Sequence, residues 1–248
     1  SALPWLRSNS DKIRASEWLP ALLPAATRLD RVKDISTQEA TRALDELVKV
    51  QMGQRDWDNA IMTLLQGYSS TKQARHLYQA CILAAWSNSL ELYEQSLRHL
   101  GQHVQPTTLQ NYIYLAVSSS LLDHDLKFPA LQQAYGDIKL RPPVQPVLDR
   151  AILIQGYRLE DSITVSKQLT LLTERRVPLP IASFAELIQM LLTPPAQINS
   201  TNIQRLQHKR MMLPSIEGGN PGNTWTERCL LDIFYRQLQE HINPESGT

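Results

Sequence analysis

The stretch ARHLYQACILAAWSNSLELYEQSLRHL, residues 74–100, contains two amphipathic helix patterns in succession. In its first part, apolar residues recur with the i, i+3, i+4 spacing that places side chains on one face of an α-helix: Ala74, Leu77, Tyr78, Cys81, Ile82 and Ala85. The second part repeats the spacing with Leu90, Tyr93, Leu97 and Leu100. Residues 74–100 therefore predict one helix–turn–helix unit.

Prolines recur around this unit at a regular spacing. No proline lies between Pro24 and Pro106, and four prolines then follow one another at intervals of 36 residues: Pro106, Pro142, Pro178 and Pro214. Because proline ends helices and disfavours helical geometry in the residue before it, regular prolines predict regular helix boundaries. A period in the mid-thirties is the length of a helix–turn–helix repeat.

The segments between these boundaries each carry two helical patterns. Residues 57–65 and 184–191 show clear apolar stripes, and a third stripe after Asp161 is expected to comprise Ile163, Ser166, Leu169 and Leu172. Met211 is expected to complete the last stripe. Since period-two runs typical of strands are absent, the sequence predicts an all-α solenoid with about five helix–turn–helix repeats of 34–36 residues over residues 36–214.

The flanking segments differ from the repeats. Residues 1–35 are expected to form a cap or an approach segment, and a capping box begins at Ser36. Residues 215–223 contain three of the nine glycines and are expected to form a flexible loop. A second capping box, Thr224 to Glu227, then predicts a C-terminal capping helix over residues 224–242, with Cys229, Leu230, Ile233, Phe234 and Leu238 on one face.

Composition excludes several classes of protein. The 248 residues can bury a substantial core, and no apolar run approaches the ~18 residues of a membrane-spanning helix. Two cysteines cannot form a disulfide framework and favour a reducing compartment. The net charge of +1 argues against a strongly basic nucleic-acid binder of the histone kind.

Charge is nevertheless unevenly distributed. Residues 163–216 hold six basic residues against Glu174 and Glu186, a local charge of +4: Lys167, Arg175, Arg176, Arg205, Lys209 and Arg210. Arg205, His208 and Lys209 share one helix face by their spacing. Since Lys and Arg supply most sequence-independent affinity for phosphates, this stretch is the candidate RNA-backbone patch. The alternative interpretation is the solvated outer face of a second helix.

Residues 148–180, with LIQGY at 153–157 and VPLP at 177–180, resemble a pentatricopeptide repeat (PPR). Residues 103–112 and 183–188 are similar to the junction and first helix of the same motif, so the resemblance covers about residues 36–214. Residues 54–61 resemble the competing tetratricopeptide repeat (TPR) instead.

The PPR resemblance implies a right-handed superhelix that binds single-stranded RNA along its first helices, in the mitochondrial matrix; the alternative location is the cytoplasm. It also implies that base reading needs a polar residue five positions after the junction proline, paired with the residue after that proline. Asn111 with Thr107 fits this pattern, whereas Ala151 and Ala185 occupy the matching positions in later units. Tyr114 is a further candidate for stacking on a base, as are Tyr78, Tyr112 and Tyr157.

No motif predicts catalysis, a metal or a cofactor. Zinc-ligand spacings and a glycine-rich phosphate loop are missing from the sequence. Asp123 to Asp125 is better explained as a solvated turn than as a cation site.

The sequence favours a non-enzymatic PPR-like protein of organellar gene expression that binds single-stranded RNA or works within an RNA-processing, transcription or ribosomal complex. The alternative is a TPR-like adaptor that binds a protein partner and no RNA. Neither hypothesis involves a small-molecule substrate.

Overall fold

The computed structural model describes residues 37–122, 124, 130–135, 140–141, 144–175, 177–216 and 225–244. These residues form eleven α-helices and no strand, which confirms the all-α class for this part of the chain. The helices are α1 Thr37–Gly53, α2 Trp57–Thr71, α3 Ala74–Trp86, α4 Leu90–His103, α5 Leu109–Ser118, α6 Leu131–Tyr135, α7 Gln145–Arg158, α8 Ser162–Glu174, α9 Leu179–Leu191, α10 Ser200–Met211 and α11 Trp225–Ile242. A 3₁₀ turn, Pro195–Gln197, lies between α9 and α10.

The helix–turn–helix unit expected in residues 74–100 is present as α3 and α4, which pack closely on each other. Leu77, Cys81 and Leu97 of its predicted stripes are fully buried. Leu90 is an exception, because it is the first residue of α4 and remains 58% exposed. Three of the four evenly spaced prolines fall in the described residues, and each stands at a helix boundary: Pro106 lies between α4 and α5, Pro178 precedes α9, and Pro214 follows α10.

Helices α3, α5, α7 and α9 form a row, since each packs against the next. The paired helices α4 and α8 pack on α3 and α7 respectively. Tyr93 of α4 links its pair to the next unit, because its hydroxyl donates a hydrogen bond to the carbonyl oxygen of Ser118 at the end of α5, at 2.6 Å. The number of repeats and the solenoid arrangement remain predictions.

Helix α11 packs against both α3 and α9, the two ends of this row, and against α10. The five residues predicted for its apolar face are all buried. Trp225, Leu231 and Tyr235 on its other sides are buried as well. The Phe234 ring meets the Phe184 ring of α9 edge-to-face, with centroids 5.2 Å apart. A helix buried on several sides is part of the core, so the C-terminal helix joins helices far apart in sequence.

Two apolar residues expected in the core are exposed instead. Helix α8 buries Val165 and Leu172, and this leaves Ile163 82% exposed at the start of the helix. Met211 at the end of α10 is 62% exposed. The assignment of Ile163 to the core was wrong because the packed face of α8 is rotated by about one residue from the stripe with three-residue spacing. The assignment of Met211 was also wrong, because it is the last residue of α10, whose buried contact is made by Leu206.

Several predicted features lie outside the described residues: the N-terminal segment 1–35, the capping box at Ser36, Asp123 and Asp125, and residues 217–224, which include most of the predicted loop.

A close approach between α7 and α8 requires glycine at position 156. A Cβ atom there would lie 3.1 Å from Thr164 Cγ2. Thr164 is buried and cannot move aside easily, since its hydroxyl donates a hydrogen bond to the Asp161 carboxylate at 2.6 Å. We expect Gly156→Ala to lower the free energy of unfolding by about 1 kcal/mol, although alanine favours helices. Urea unfolding followed by circular dichroism measures this change.

The matched control is Gly101→Ala, at an exposed position inside α4. Here the higher helix propensity of alanine is unopposed, and we expect stability to rise by roughly 0.5–1 kcal/mol. Equal stabilisation by both substitutions would contradict the close approach at Gly156.

His76 should make stability depend on pH. Its imidazole is fully buried, with Nδ1 3.0 Å from Thr71 Oγ1 and Nε2 3.9 Å from Asp45 Oδ1. Burial, reinforced by Arg75 and opposed by Asp45, lowers the pKa of His76 below 6.5. Because the unfolded chain then binds more protons than the folded chain, we expect the free energy of unfolding to fall as pH drops below about 6.5. Urea unfolding at pH 7.5 and pH 5.5 measures the difference, which should shrink in His76→Gln and persist in the exposed control His208→Gln.

Candidate functional site

The base-reading candidates lie at the start of α5. The Asn111 side chain donates a hydrogen bond to the carbonyl oxygen of Gln105 at 2.8 Å, and its backbone N–H donates to Thr108 Oγ1 at 3.2 Å. Thr107 is exposed in the turn between these residues. Asn111 thus holds the turn that leads into α5, and one of its amide donors is already engaged.

Tyr114 lies one turn further along α5. Its ring stacks on the Tyr78 ring of α3, with centroids 4.4 Å apart and an interplanar angle of 18°. The Gln110 side-chain amide donates a hydrogen bond to the Tyr114 hydroxyl, and burial raises the pKa of that hydroxyl. One face of the Tyr114 ring is therefore already covered by another aromatic ring of the same chain.

Arg175, at the end of α8, forms an ion pair with Asp149 of α7 at 2.5 Å. The Asp149 carboxylate is 2% exposed and also accepts a hydrogen bond from Gln145 at 2.8 Å. A buried carboxylate needs a cationic partner to offset its lost hydration. Arg175 therefore stabilises the α7–α8 pair in this structure.

The basic face of α10 is also engaged with acidic residues. Lys209 Nζ lies 2.5 Å and Arg205 Nε 3.9 Å from the Glu186 carboxylate of α9. Arg210 forms an ion pair with Asp232 of α11 at 3.0 Å, and its guanidinium lies 4.6 Å from the centre of the Tyr235 ring. Three of the four predicted basic residues of α10 thus connect it to α9 and α11.

His208 and Lys167 are exposed, and Arg176 lies outside the described residues. The candidates lie in three separate places, at α5, on α8 and on α10. In the packing order, α7 lies between α5 and α8, and α9 lies between α8 and α10. The structure therefore brings Arg205 and Lys209 together around Glu186 and does not bring them to Asn111.

A buried ion pair that the sequence did not reveal joins α7 to α11. The Arg150 guanidinium, 3% exposed, forms a two-point hydrogen bond with the Glu227 carboxylate, and the Arg150 Nη2–Glu227 Oε1 distance is 3.0 Å. Burial lowers the pKa of Arg150, but the Glu227 carboxylate raises it by more, so the charged form is favoured. Sequence patterns could not identify this pair, since its partners are far apart along the chain.

Side chains of α11 also cap the ends of several other helices. Arg236 donates a hydrogen bond to the carbonyl oxygen of Trp86 at 2.7 Å, and Gln237 donates to that of Leu121 at 3.2 Å. Arg228 bonds the carbonyl oxygen of Leu213 at 3.0 Å, and His241 Nε2 lies 2.9 Å from that of Thr193. Carbonyls near helix C-termini lack intrahelical partners, so these bonds satisfy groups that the helices leave free.

The two cysteines are free and buried, in α3 and α11. Burial raises the pKa of Cys81 to about 12 and raises that of Cys229 as well, so both thiols are held in the unreactive protonated form. Among the described residues, no group of three or more His, Cys, Asp or Glu side chains could hold a metal ion. No helix in the described part of the chain is long and apolar enough to cross a membrane.

A groove of about 560 Å³ lies between the α7–α8 turn and the end of α9. Apolar side chains of α8, among them Val165 and Leu169, form one wall. Gln189 and Leu192 of α9 form the opposite wall, and Tyr157 of α7 contributes to the lining. This groove is the second candidate site, and no motif in the sequence indicated it.

Comparison of the chain with known protein families, with characterised proteins and with solved structures found no match.

We expect Glu227→Gln to lower the free energy of unfolding by about 3 kcal/mol, because it leaves the buried Arg150 charge without a counter-charge. The double variant Arg150→Met with Glu227→Leu should recover most of that loss, since it removes both charges and fills the space with apolar atoms. Chemical unfolding of the single and double variants measures both effects.

The control is Glu94→Gln, which removes the partner of Arg98 in an exposed pair at 3.4 Å. This change should cost less than about 0.5 kcal/mol. A similar small cost for Glu227→Gln would show that the buried pair does not hold α11 in place.

Proposed function

We propose that this protein is a helical scaffold that binds a protein partner and that RNA is not its principal ligand. The observation that carries the proposal is the pairing of its predicted phosphate-binding residues. Arg175, Arg205, Lys209 and Arg210 each form an ion pair with a carboxylate of the same chain.

An RNA phosphate would have to compete with these carboxylates. Releasing Arg175 would leave the buried Asp149 carboxylate unpaired, which costs several kcal/mol. Counterion release, which drives most sequence-independent RNA binding, requires cations whose neutralising partners are mobile salt ions. Fixed carboxylates at these cations remove much of that driving force, so the pairing argues against RNA as the principal ligand.

Exposed apolar side chains support a protein partner directly. Leu159 is 61%, Ile163 82% and Leu192 53% exposed, and they belong to neighbouring parts of α7, α8 and α9. Grouped exposed apolar residues are typical of protein-binding surfaces. Nucleic-acid interfaces, by contrast, are rich in basic residues.

Affinity purification of the full chain, with and without nuclease treatment, tests the proposal. We expect one protein partner in near-stoichiometric amount that resists nuclease. In parallel, a fluorescent pool of single-stranded RNA at about 50 mM salt should bind weakly, and Arg205→Ala with Lys209→Ala should leave that binding unchanged.

A protein whose principal ligand is RNA would give a different result. Tight RNA binding that falls steeply with salt, and that weakens in the Arg205→Ala, Lys209→Ala variant, would refute the scaffold proposal. That outcome would favour the single-stranded RNA hypothesis of the sequence analysis.

A further inference from the structure

The groove between the α7–α8 turn and α9 is bordered by apolar side chains turned away from the core. The expected stripe of α8 contains Ile163 and Leu169; Ile163 is 82% exposed and Leu169 lines the groove. Leu159 before the turn and Leu192 at the end of α9 are also more than half exposed. Helix α8 therefore has apolar residues on two faces, and only one of them is covered by this chain.

The border of the groove is fixed in place by hydrogen bonds. The Asp161 backbone N–H donates to the carbonyl oxygen of Gly156 at 2.9 Å and closes the α7–α8 turn. The Asp161 carboxylate accepts hydrogen bonds from the backbone N–H and hydroxyl of Thr164, at 3.0 and 2.6 Å, and so caps α8. Because these hydrogen bonds already order the turn, ligand binding does not carry the free-energy cost of ordering it.

Negative charge lies beside these apolar residues. Glu160 lines the groove and Asp161 follows it, and both are exposed. Hydrogen bonds from Thr164 lower the pKa of Asp161, so its carboxylate is ionised at neutral pH. The C-terminal ends of α7 and α9 also lie here and add the negative ends of their helix dipoles, whereas the N-terminus of α8 at Ser162 contributes a positive end that Asp161 caps. Arg158 is the one cationic side chain that lines the groove.

We propose that this groove binds an amphipathic helix of a partner protein, with apolar residues that pack on Leu169 and Leu192 and with Lys or Arg residues beside Glu160 and Asp161. This inference rests on the proposed scaffold function and names the docking site and the partner's chemistry. A helix fits because the described residues contain no strand edge for an extended peptide to pair with, whereas an apolar groove accepts the i, i+3, i+4, i+7 stripe of a helix.

Two labelled helical peptides test the proposal. Both have leucine at i, i+3, i+4 and i+7 over roughly four turns; one has lysine at the other positions and the other has glutamate. We expect the lysine peptide to bind the full chain by fluorescence anisotropy and the glutamate peptide to bind at least about tenfold more weakly.

Variants of the groove locate the binding. Leu169→Ser with Leu192→Ser, which changes two apolar residues that line the groove, should weaken the lysine peptide at least about tenfold. Glu160→Lys with Asp161→Asn should reduce its advantage over the glutamate peptide, since the second change keeps an Asx cap for α8. The control is Leu90→Ser, a 58% exposed leucine at the start of α4, which should change neither affinity. Circular dichroism confirms that each variant keeps its fold.

Several results would overturn the proposal: no binding of the lysine peptide, equal binding of both peptides, or equal weakening by Leu90→Ser. Purification of the natural partner distinguishes a failure of this inference from a failure of the proposed scaffold function. If a nuclease-resistant partner still purifies with the Leu169→Ser, Leu192→Ser variant, the protein is a scaffold but this groove is not its docking site. If only RNA purifies with the chain, the scaffold function itself fails.

Discussion

The buried contact between Arg150 of α7 and Glu227 of α11 is the constraint on which the arrangement of the helices depends. Two charges taken out of water must meet, so α11 can lie only where its first turn reaches α7. From that point α11 runs against α3, α9 and α10 and donates hydrogen bonds to carbonyl oxygens near their ends, among them those of Trp86 and Leu213. The last helix of the chain thus closes a core formed both by α3, far earlier in the chain, and by α9 and α10, which come shortly before it.

Ion pairs within the chain also determine how much positive charge the surface presents to a ligand. Carboxylates from α7, α9 and α11 pair with four basic residues of the stretch that carries a local charge of +4: Arg175, Arg205, Lys209 and Arg210. Charge counted along the sequence and charge presented to a ligand are therefore different quantities in this protein. The apolar residues Leu159, Ile163 and Leu192 remain exposed, and they add support for a protein partner.

Apolar stripes read from the sequence were sufficient to predict much of the fold. The stripes of α3 and α9 predicted buried residues such as Leu77 and Phe184, because a stripe with helical spacing must meet some other surface. They were insufficient for Ile163 in α8, where three-residue spacing from Leu172 was mistaken for the packed face. Which face a helix buries depends on its neighbour, and Val165 meets α7 near Gly156 because glycine allows the close approach. The candidate site was predicted only as a group of residue types, since ion-pair partners such as Glu186 and Asp232 lie on other helices.

The sequence by itself determined that the chain is helical, where most described helices begin and end, and that the last helix is amphipathic. These properties depend on residues within a few positions of one another, through helix periodicity, proline and caps. Only the tertiary structure decided that α11 is enclosed by earlier helices, that Arg175 and Lys209 are paired, and that Ile163 is exposed. Those outcomes depend on contacts between segments that are far apart in the sequence. The burial of charge selects among the possible contacts, because an unpaired buried charge destabilises the fold by more than a local helix propensity stabilises it.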